Sequence, residues 1–259
     1  MNEDRLREEL MGLGLSQFEY FEQIGSTNDA AKAWLAGRDQ GIYAALADEQ
    51  TQGRGRGERS WQSPPGSAIA LSMGFSAGEI GPEIAPLLAG VASLACSRAA
   101  EGLWGLEMQI KWPNDLIIER QKVGGILIES EWQGQSERQT VMGIGINVAA
   151  ASVAGGQDFR FAASYLEAFS GAEIGREQLV RAVTQEALAL IRESDKEQIV
   201  AEWNARLAFS GEEIEFLREG EEALAATIAG VDAQGRLLLE RTNGEQKAYS
   251  AGEIRLLAR

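Results

Sequence analysis

Residues 114–148 read NDLIIERQKVGGILIESEWQGQSERQTVMGIGINV, and this pattern predicts three strands that turn back on one another. The first two strands are joined by a tight turn around residues 119–121. A polar turn at 133–139 then leads to the third strand, TVMGIGINV at 140–148. The stretch therefore predicts an antiparallel meander within a sheet.

Pairing across this meander brings polar side chains from separate strands together. Antiparallel register places Asp115 about level with Gly125, and Lys122 roughly opposite Asn147. A register shifted by two residues would still leave these side chains in one neighbourhood, beside glycines that leave space. The spacing alone therefore predicts a common site.

Strands and helices alternate before the meander. Ser26 is a candidate N-cap for a helix that begins in STNDAAKAWLAG at 26–37. The other predicted elements are a short polar helix or arm at 1–16, strands at 18–25, 41–50 and 67–75, and an amphipathic helix at 82–102 that ends at Gly102.

The chain changes character after the meander. Two helices are predicted at 176–193 and 196–208, and from about Gly211 the pattern becomes one of short strands. Asn243-Gly244 is typical of a two-residue hairpin turn. This last region predicts a small closed or nearly closed β-barrel.

The composition excludes several classes of protein. A formal net charge of −15 disfavours nucleic-acid and anionic-membrane binding, and the absence of histidine excludes Ser-His-Asp and Cys-His mechanisms. The single Cys96 suits a reducing compartment as a small buried side chain. MNEDRLREEL is not a signal peptide, and no apolar run could span a bilayer, so we expect a cytoplasmic protein.

Residues 48–61, DEQTQGRGRGERSW, set three arginines among three glycines just after a predicted strand. Guanidinium groups grip carboxylates and phosphates, and glycines let the backbone approach a ligand closely. The loop is therefore an anion clamp for a small molecule, a solvated loop or a nucleic-acid-binding segment.

Three further motifs each allow two interpretations. In IKWPNDLII at 110–118, Asp115 could hold Mg²⁺ or position a phosphate with Lys111 nearby, or the turn is an ordinary Asx turn. In QKVGGILIE at 121–129, Lys122 could pair with a bound anion or lie exposed in a turn. In GIGIN at 143–147, the small residues leave room for a flat ligand or allow tight strand packing.

Together the order and spacing of these motifs resemble biotin protein ligases. The resemblance covers roughly residues 18–259 and rests on STN at 26–28, QTQGRGRGERSWQSPPG at 50–66, KWPND at 111–115, KVGGILIE at 122–129, GIGIN at 143–147 and the C-terminal GEIRLL. It implies an α+β fold: a mixed sheet flanked by helices, like class II aminoacyl-tRNA synthetases, with a small SH3-like β-barrel. The implied domains are an arm at 1–17, a catalytic domain at 18–209 and the barrel at 210–259.

The resemblance also assigns site residues. Lys122 would contact both biotin and the α-phosphate, and Mg²⁺ would lie near Asp115. The residues implied for catalysis are Lys122, Arg54, Arg56, Lys111 and Asp115. Those implied for biotin are Ser26, Thr27, Asn28, Gln50, Arg54, Gly55, Arg56, Lys122 and Gly125. Those implied for the nucleotide are Arg56, Arg59, Trp61, Lys111, Asp115 and Asn147.

One position departs from the family pattern. Family loops usually read GRGRxGRxW, whereas here Glu58 stands at the later glycine position and Gly57 precedes it. This difference bears on whether the loop becomes ordered over its ligand, and not on the identity of the loop.

The implied activity is that of an ATP-dependent, AMP-forming ligase. It makes biotinyl-5'-AMP and transfers biotin to a lysine of a biotin carboxyl carrier protein, such as that of acetyl-CoA carboxylase. About 17 residues precede the ligase region, so we expect the monofunctional type without a DNA-binding domain, as a monomer or homodimer that binds neither DNA nor membrane. The alternatives are a biotin-sensing repressor, a lipoate or other acyl-adenylate ligase, and a non-enzymatic biotin-binding module.

Overall fold

The structure, a computed structural model, describes residues 2–57, 59–61, 63–133, 136–153 and 162–256, and two β-sheets organise them. The first sheet has the order β1-β2-β3-β7-β6-β5-β4. Its strands are β1 (Gln17–Ile24), β2 (Ile42–Gln50), β3 (Ala68–Ser76), β4 (Gln109–Lys111), β5 (Asp115–Ile118), β6 (Gln121–Gln133) and β7 (Ser136–Asn147). Strands β1 and β2 pair in parallel and the others antiparallel, which confirms the mixed sheet of an α+β fold.

Helices cover both faces of this sheet. The described α-helices are α1 (Glu3–Met11), α2 (Thr27–Leu35), α3 (Leu88–Trp104), α4 (Leu166–Ser170), α5 (Arg176–Glu193) and α6 (Lys196–Ala205), with 3-10 turns at Ala85–Leu87 and Ala150–Val153. Helices α3 and α5 pack over the large core on one face, and α2 packs on the other. Within the described residues, no helix has both the length and the apolar character needed to cross a membrane.

The two faces of β3 differ in residue size. Successive side chains point to opposite faces of a strand, and Ile69, Leu71 and Met73 join the large core. On the α2 side the alternating residues are small, Ala70 and Ser72 among them. Helix α2 covers only part of this shallow face, so space remains beside it for a cavity.

The register of the meander confirms one predicted pair and matches the other to within one residue. Asp115 pairs with Gly125 as predicted, and Glu119 and Arg120 form the tight turn with φ of 48° and 64°. Lys122 lies within one residue of the predicted position opposite Asn147, since the β6–β7 ladder begins with Gly124 and Ile146. Lys122 itself forms a parallel bridge to Ala163. The polar turn predicted at 133–139 falls partly on residues 134–135, which lie outside the described residues.

Helix α3 also ends later than predicted. It continues through Gly102 to Trp104, and the chain leaves the helix at Gly105, whose φ is 68°. A glycine inside a helix is tolerated, whereas the left-handed C-cap conformation requires one. The expected end at Gly102 is therefore two residues too early.

The second sheet lies at the C-terminal end of the described chain. Its strands β8 (Glu213–Leu217), β9 (Leu224–Val231), β10 (Leu237–Glu240), β11 (Gln246–Tyr249) and β12 (Glu253–Leu256) pair antiparallel in the order β11-β10-β9-β8-β12. This arrangement fits a small SH3-like barrel. The turn at Asn243-Gly244 is longer than the predicted two residues, because Arg241 N–H bonds to the Glu245 carbonyl across three residues, with Gly244 at φ 81°.

Trp112 joins the two sheets. It follows β4, is fully buried, and its Nε1 donates to the carbonyl of Gly235 at 2.9 Å. Its ring centroid lies 6.2 Å from that of Phe216 in β8. The turn that carries the KWPND motif is thus held from the second sheet.

Candidate active site

A cavity of about 380 Å³ opens on the shallow face of the first sheet, beside α2. Thirteen of the fourteen predicted site residues line it, drawn from α2, the arginine-glycine loop and strands β2, β4, β5 and β6. These residues are Ser26, Thr27, Asn28, Gln50, Arg54, Gly55, Arg56, Arg59, Trp61, Lys111, Asp115, Lys122 and Gly125.

Asn147 is the predicted residue that does not line this cavity in the described part of the chain. Its side chain is buried, and its amide donates to the carbonyl of Ser164 at 3.0 Å. Its role toward a nucleotide stays a prediction. Glu58, the position that departs from the family pattern, lies outside the described residues.

Glycines of the GIGIN strand form the floor of the cavity. A Cβ at Gly145 would lie 2.5 Å from Cε2 of Trp61, and one at Gly143 would lie 2.4 Å from Oδ1 of Asn28. Contacts this short would force Trp61 or Asn28 to shift, so the observed positions of these side chains depend on glycine at both sites. The space that the GIGIN motif was expected to leave is filled in part by the indole of Trp61. Its Nε1 is buried and has no hydrogen-bond partner among the described residues.

Hydroxyl and amide groups gather at the α2 end of the cavity. Gln50 Oε1 accepts from the backbone N–H of Thr27 at 2.9 Å and lies 3.0 Å from its hydroxyl. Ser72 Oγ lies 2.7 Å from Thr27 Oγ1 and donates to Asn28 Oδ1 at 2.5 Å. Ser26 is the N-cap of α2 by position, yet its side chain makes no capping hydrogen bond. Its hydroxyl is therefore not used for capping beside the cavity.

Two lysines share one carboxylate on the opposite side of the cavity. Lys122 Nζ lies 2.5 Å from Asp115 Oδ1, and Lys111 Nζ lies 3.4 Å from Asp115 Oδ2. Burial alone would raise the pKa of Asp115, but the two lysines outweigh it and hold that pKa below its usual range. Burial lowers the pKa of Lys111, and Asp115 offsets part of this decrease. The group carries more positive than negative charge and can receive an anion.

Strand pairing explains why these three side chains meet. Lys111 and Asp115 are cross-strand partners in β4 and β5, on either side of the Trp112–Asn114 turn. A register shift between β5 and β6 follows, which brings Lys122 toward Asp115. The side chain of Asn114 donates to the Ile126 carbonyl at 2.7 Å and fixes the turn against β6.

The arginine-glycine loop covers the cavity, and its three arginines have different partners. Arg54 makes two hydrogen bonds to Asp29, at 2.6 and 2.8 Å, and these lower the pKa of Asp29. Arg56 lies 3.5 Å from Oδ1 of Asn114. Arg59 reaches the second sheet and bonds to Glu253 at 3.0 Å. Arg54 is thus engaged by carboxylates of the chain itself, and its role as a ligand contact stays a prediction.

The donor set near Asp115 bears on the predicted magnesium ion. Among the described residues, no group of three or more Asp, Glu, His or Cys side chains could hold a metal. Mg²⁺ commonly binds through one or two carboxylates while keeping waters and substrate phosphates as its other ligands. Oxygens of Asp115 and Asn114 therefore fit an ion that arrives with a nucleotide.

Sequence reasoning missed several cavity residues. Ser72 could have been found from the alternation of small and large residues along β3. Asn114 was expected beside Asp115 at a Mg²⁺ or phosphate site, and nothing in the sequence indicated that its side chain fixes the turn. Glu253 gave no local signal, because it reaches the cavity from the second sheet.

Comparisons with known proteins match both parts of the chain. A family model described as biotin/lipoate A/B protein ligase matches residues 20–147, and one described as biotin protein ligase C terminal domain matches residues 209–257. The chain is 30% identical over 253 residues to the bifunctional ligase/repressor BirA of Bacillus spizizenii, covering 95% of this chain and 75% of that protein. It is 29% identical over 262 residues to the biotin--[acetyl-CoA-carboxylase] ligase of Mycobacterium tuberculosis, covering 98% and 95%.

A solved structure agrees over nearly the whole fold. The biotin protein ligase from Aquifex aeolicus in complex with biotin and ATP superposes with a TM-score of 0.75 at 26% identity, covering 92% of this chain and 97% of that one.

Proposed function

The chain belongs to the biotin/lipoate A/B protein ligase family, and from this we propose how its residues divide the work of an ATP-dependent biotin protein ligase. The enzyme condenses biotin with ATP to biotinyl-5'-AMP and pyrophosphate. It then transfers the biotinyl group to a lysine amine of a carrier protein and releases AMP. The observation that carries the assignment of roles is the single cavity between the polar α2 end and the lysine pair.

The first step presses two anions together. A carboxylate oxygen of biotin attacks the α-phosphorus of ATP, and the bond to pyrophosphate breaks. We assign Arg56, Lys111 and Lys122 to offset the repulsion and to stabilise charge on the phosphate oxygens in the transition state. Mg²⁺ would neutralise further phosphate charge, with Asp115 and Asn114 nearest to it. The carboxylate is already ionised, so positioning supplies much of the rate and no histidine is needed.

We assign the α2 end of the cavity to biotin and the loop side to the nucleotide. Ser26, Thr27, Asn28 and Gln50 offer the hydroxyl and amide groups that a ureido ring can bond. Arg59 and Trp61 lie on the nucleotide side, the indole of Trp61 serving as an apolar cover. Closure of residues 53–60 would keep water from the mixed anhydride until an amine attacks its carbonyl carbon.

The acceptor follows from the same chemistry. We propose that it is a biotin carboxyl carrier domain, such as that of acetyl-CoA carboxylase, which the name of the Mycobacterium tuberculosis relative specifies for that protein. We retain the division into a catalytic domain at 18–209 and a barrel at 210–259 as part of this proposal. The cytoplasmic location, the absence of DNA binding and the oligomeric state stay predictions.

One experiment tests the function. The protein is incubated with biotin, ATP, Mg²⁺ and a carrier domain, and the carrier is weighed by mass spectrometry. We expect the carrier to gain one biotinyl group, and to gain none when ATP is left out or when the acceptor lysine is replaced by arginine. Modification by lipoate in place of biotin, with no reaction of biotin, would contradict the proposal and identify a lipoate ligase.

A further inference from the structure

Glu129, on β6, joins three elements of the biotin end without lining the cavity. Its Oε2 accepts from Asn28 Nδ2 at 2.6 Å, and its Oε1 accepts from Lys32 Nζ at 2.7 Å. Arg54 also reaches Oε2, at 3.3 Å. Both carboxylate oxygens are thus used, by donors from helix α2 and from the base of the arginine-glycine loop.

These contacts hold the side-chain amide of Asn28 in a single orientation. Its Nδ2 is held by Glu129, its Oδ1 is held by Ser72, and Gly143 is so close behind it that no side chain could fit there. An amide held at both ends cannot exchange its donor and acceptor faces. Asn28 lines the cavity whereas Glu129 does not.

Charge balance supports this arrangement. Lys32 and Arg54 carry positive charge, and Glu129 and Asp29 match it. Burial raises the pKa of Glu129, while hydrogen bonds from Lys32 and Asn28 lower it, and the net pKa lies below the usual range. Glu129 is therefore ionised at neutral pH and makes the charge-assisted bonds that fix side chains most firmly.

We propose that Glu129 is a positioning residue that sets biotin affinity through Asn28 and the base of the loop. The inference rests on the proposed function, since it assigns the α2 end of the cavity to biotin. Among the described residues, Glu129 bonds to neither lysine of the pair and reaches the loop only at Arg54, so its effect on biotin should exceed its effect on the nucleotide.

The test compares Glu129→Ala with Glu131→Ala. Glu131 lies two residues along β6 on the same face, and its carboxylate accepts from Gln139 outside this cluster. Calorimetry with biotin alone should show binding about tenfold weaker for Glu129→Ala and unchanged for Glu131→Ala. In steady-state assays the KM for biotin should rise by a similar factor, while the KM for ATP stays within about twofold.

A double variant tests the route through Asn28. If Glu129 acts through that amide, Asn28→Ala combined with Glu129→Ala should bind biotin about as weakly as Asn28→Ala alone. Full additivity of the two losses would overturn the proposal. Glu129→Gln keeps the shape of the side chain and serves if the alanine variant does not fold, and it should also weaken biotin binding.

The remaining outcomes separate the two claims. Biotin binding equal to wild type in Glu129→Ala, or equal losses toward biotin and ATP, would overturn the positioning role while leaving the ligase function intact. A wild-type protein that binds no biotin would defeat both.

Discussion

Asp115 forms ion pairs with two lysines, and this unequal number of positive and negative groups affects anion binding. Within this group of three side chains its carboxylate neutralises one of the two positive charges, and Glu253 adds negative charge near Lys111. All three side chains are largely buried, so their charges are weakly screened by water. The group can therefore bind a phosphate, and this capacity depends on Lys111, Lys122 and Asp115 together.

Replacing Lys122 tests the assignment directly. Lys122→Ala should reduce adenylate formation by at least a hundredfold or so, because the side chain offsets repulsion between the reacting anions in the transition state. Pyrophosphate release is the measurement, with the exposed Lys247→Ala as control. Near-normal release by Lys122→Ala would refute the assignment.

Replacing Asp115 should change how stability depends on pH. Its folded-state pKa is depressed, so its contribution is present above the unfolded pKa and is lost as pH falls through the folded pKa. Asp115→Asn should lower the free energy of unfolding by about 3 kcal/mol at neutral pH, since it leaves two buried ammonium groups without their carboxylate.

Urea unfolding across pH measures this effect. The difference between wild type and Asp115→Asn should narrow as pH falls below about 4, where the carboxyl of the unfolded chain begins to protonate, and should vanish as pH falls through the lower folded-state pKa. A difference that stays constant down to the acid limit would show that the loss does not come from the charge.

At the scale of elements, the arginine-glycine loop folds back on itself at its base. Gly55 N–H donates to the Arg59 carbonyl at 2.7 Å, and Trp61 N–H donates to the Gly53 carbonyl at 2.8 Å. Arg56 lies near the turn between these bonds and points toward Asn114. The loop is thus built to bring one guanidinium over the cavity.

Removing that guanidinium should release the intermediate. Arg56→Gly should still form biotinyl-5'-AMP, but the anhydride should escape and label amines at random. The measurement is biotin on a bystander protein such as serum albumin, with Arg38→Gly as a control outside the cavity. No rise over wild type would count against a retaining role for the loop.

The end of helix α3 leads us to predict opposite stability effects for substitutions at two nearby glycines. Gly102→Ala should stabilise the protein by about 0.5–1 kcal/mol, because the residue lies within the helix and an added Cβ meets nothing within 4 Å. Gly105→Ala should destabilise it, because that position has φ 68°. Urea unfolding of both variants distinguishes the two, and the reverse result would place the helix end at Gly102.

The strands were predictable from the sequence because alternation and glycine spacing are local signals. The pairing of Asp115 with Gly125 follows from counting across a short turn. The helix end was missed because two glycines compete and only the backbone conformation decides between them. Counting placed Lys122 within one residue of its position opposite Asn147, but the bridge from Lys122 to Ala163 gave no local signal.

At the scale of the whole molecule, Trp112 couples the catalytic sheet to the barrel. Trp112→Phe would leave the Gly235 carbonyl without its donor and a small void between the sheets. We expect a loss of about 1–3 kcal/mol in the free energy of unfolding. Trp34→Phe is the matched control, since its Nε1 bonds only to the side chain of Gln17 in a partly exposed site. Equal losses in the two variants would argue against a special role for the junction.

The bond between Arg59 and Glu253 spans 194 positions of the chain. At a synthesis rate of about 5 to 20 residues per second, roughly 10 to 40 s separate the synthesis of these two residues. A nascent chain therefore has its arginine loop long before the strand that meets it. The contact between the loop and the second sheet can therefore form only after translation has passed Glu253.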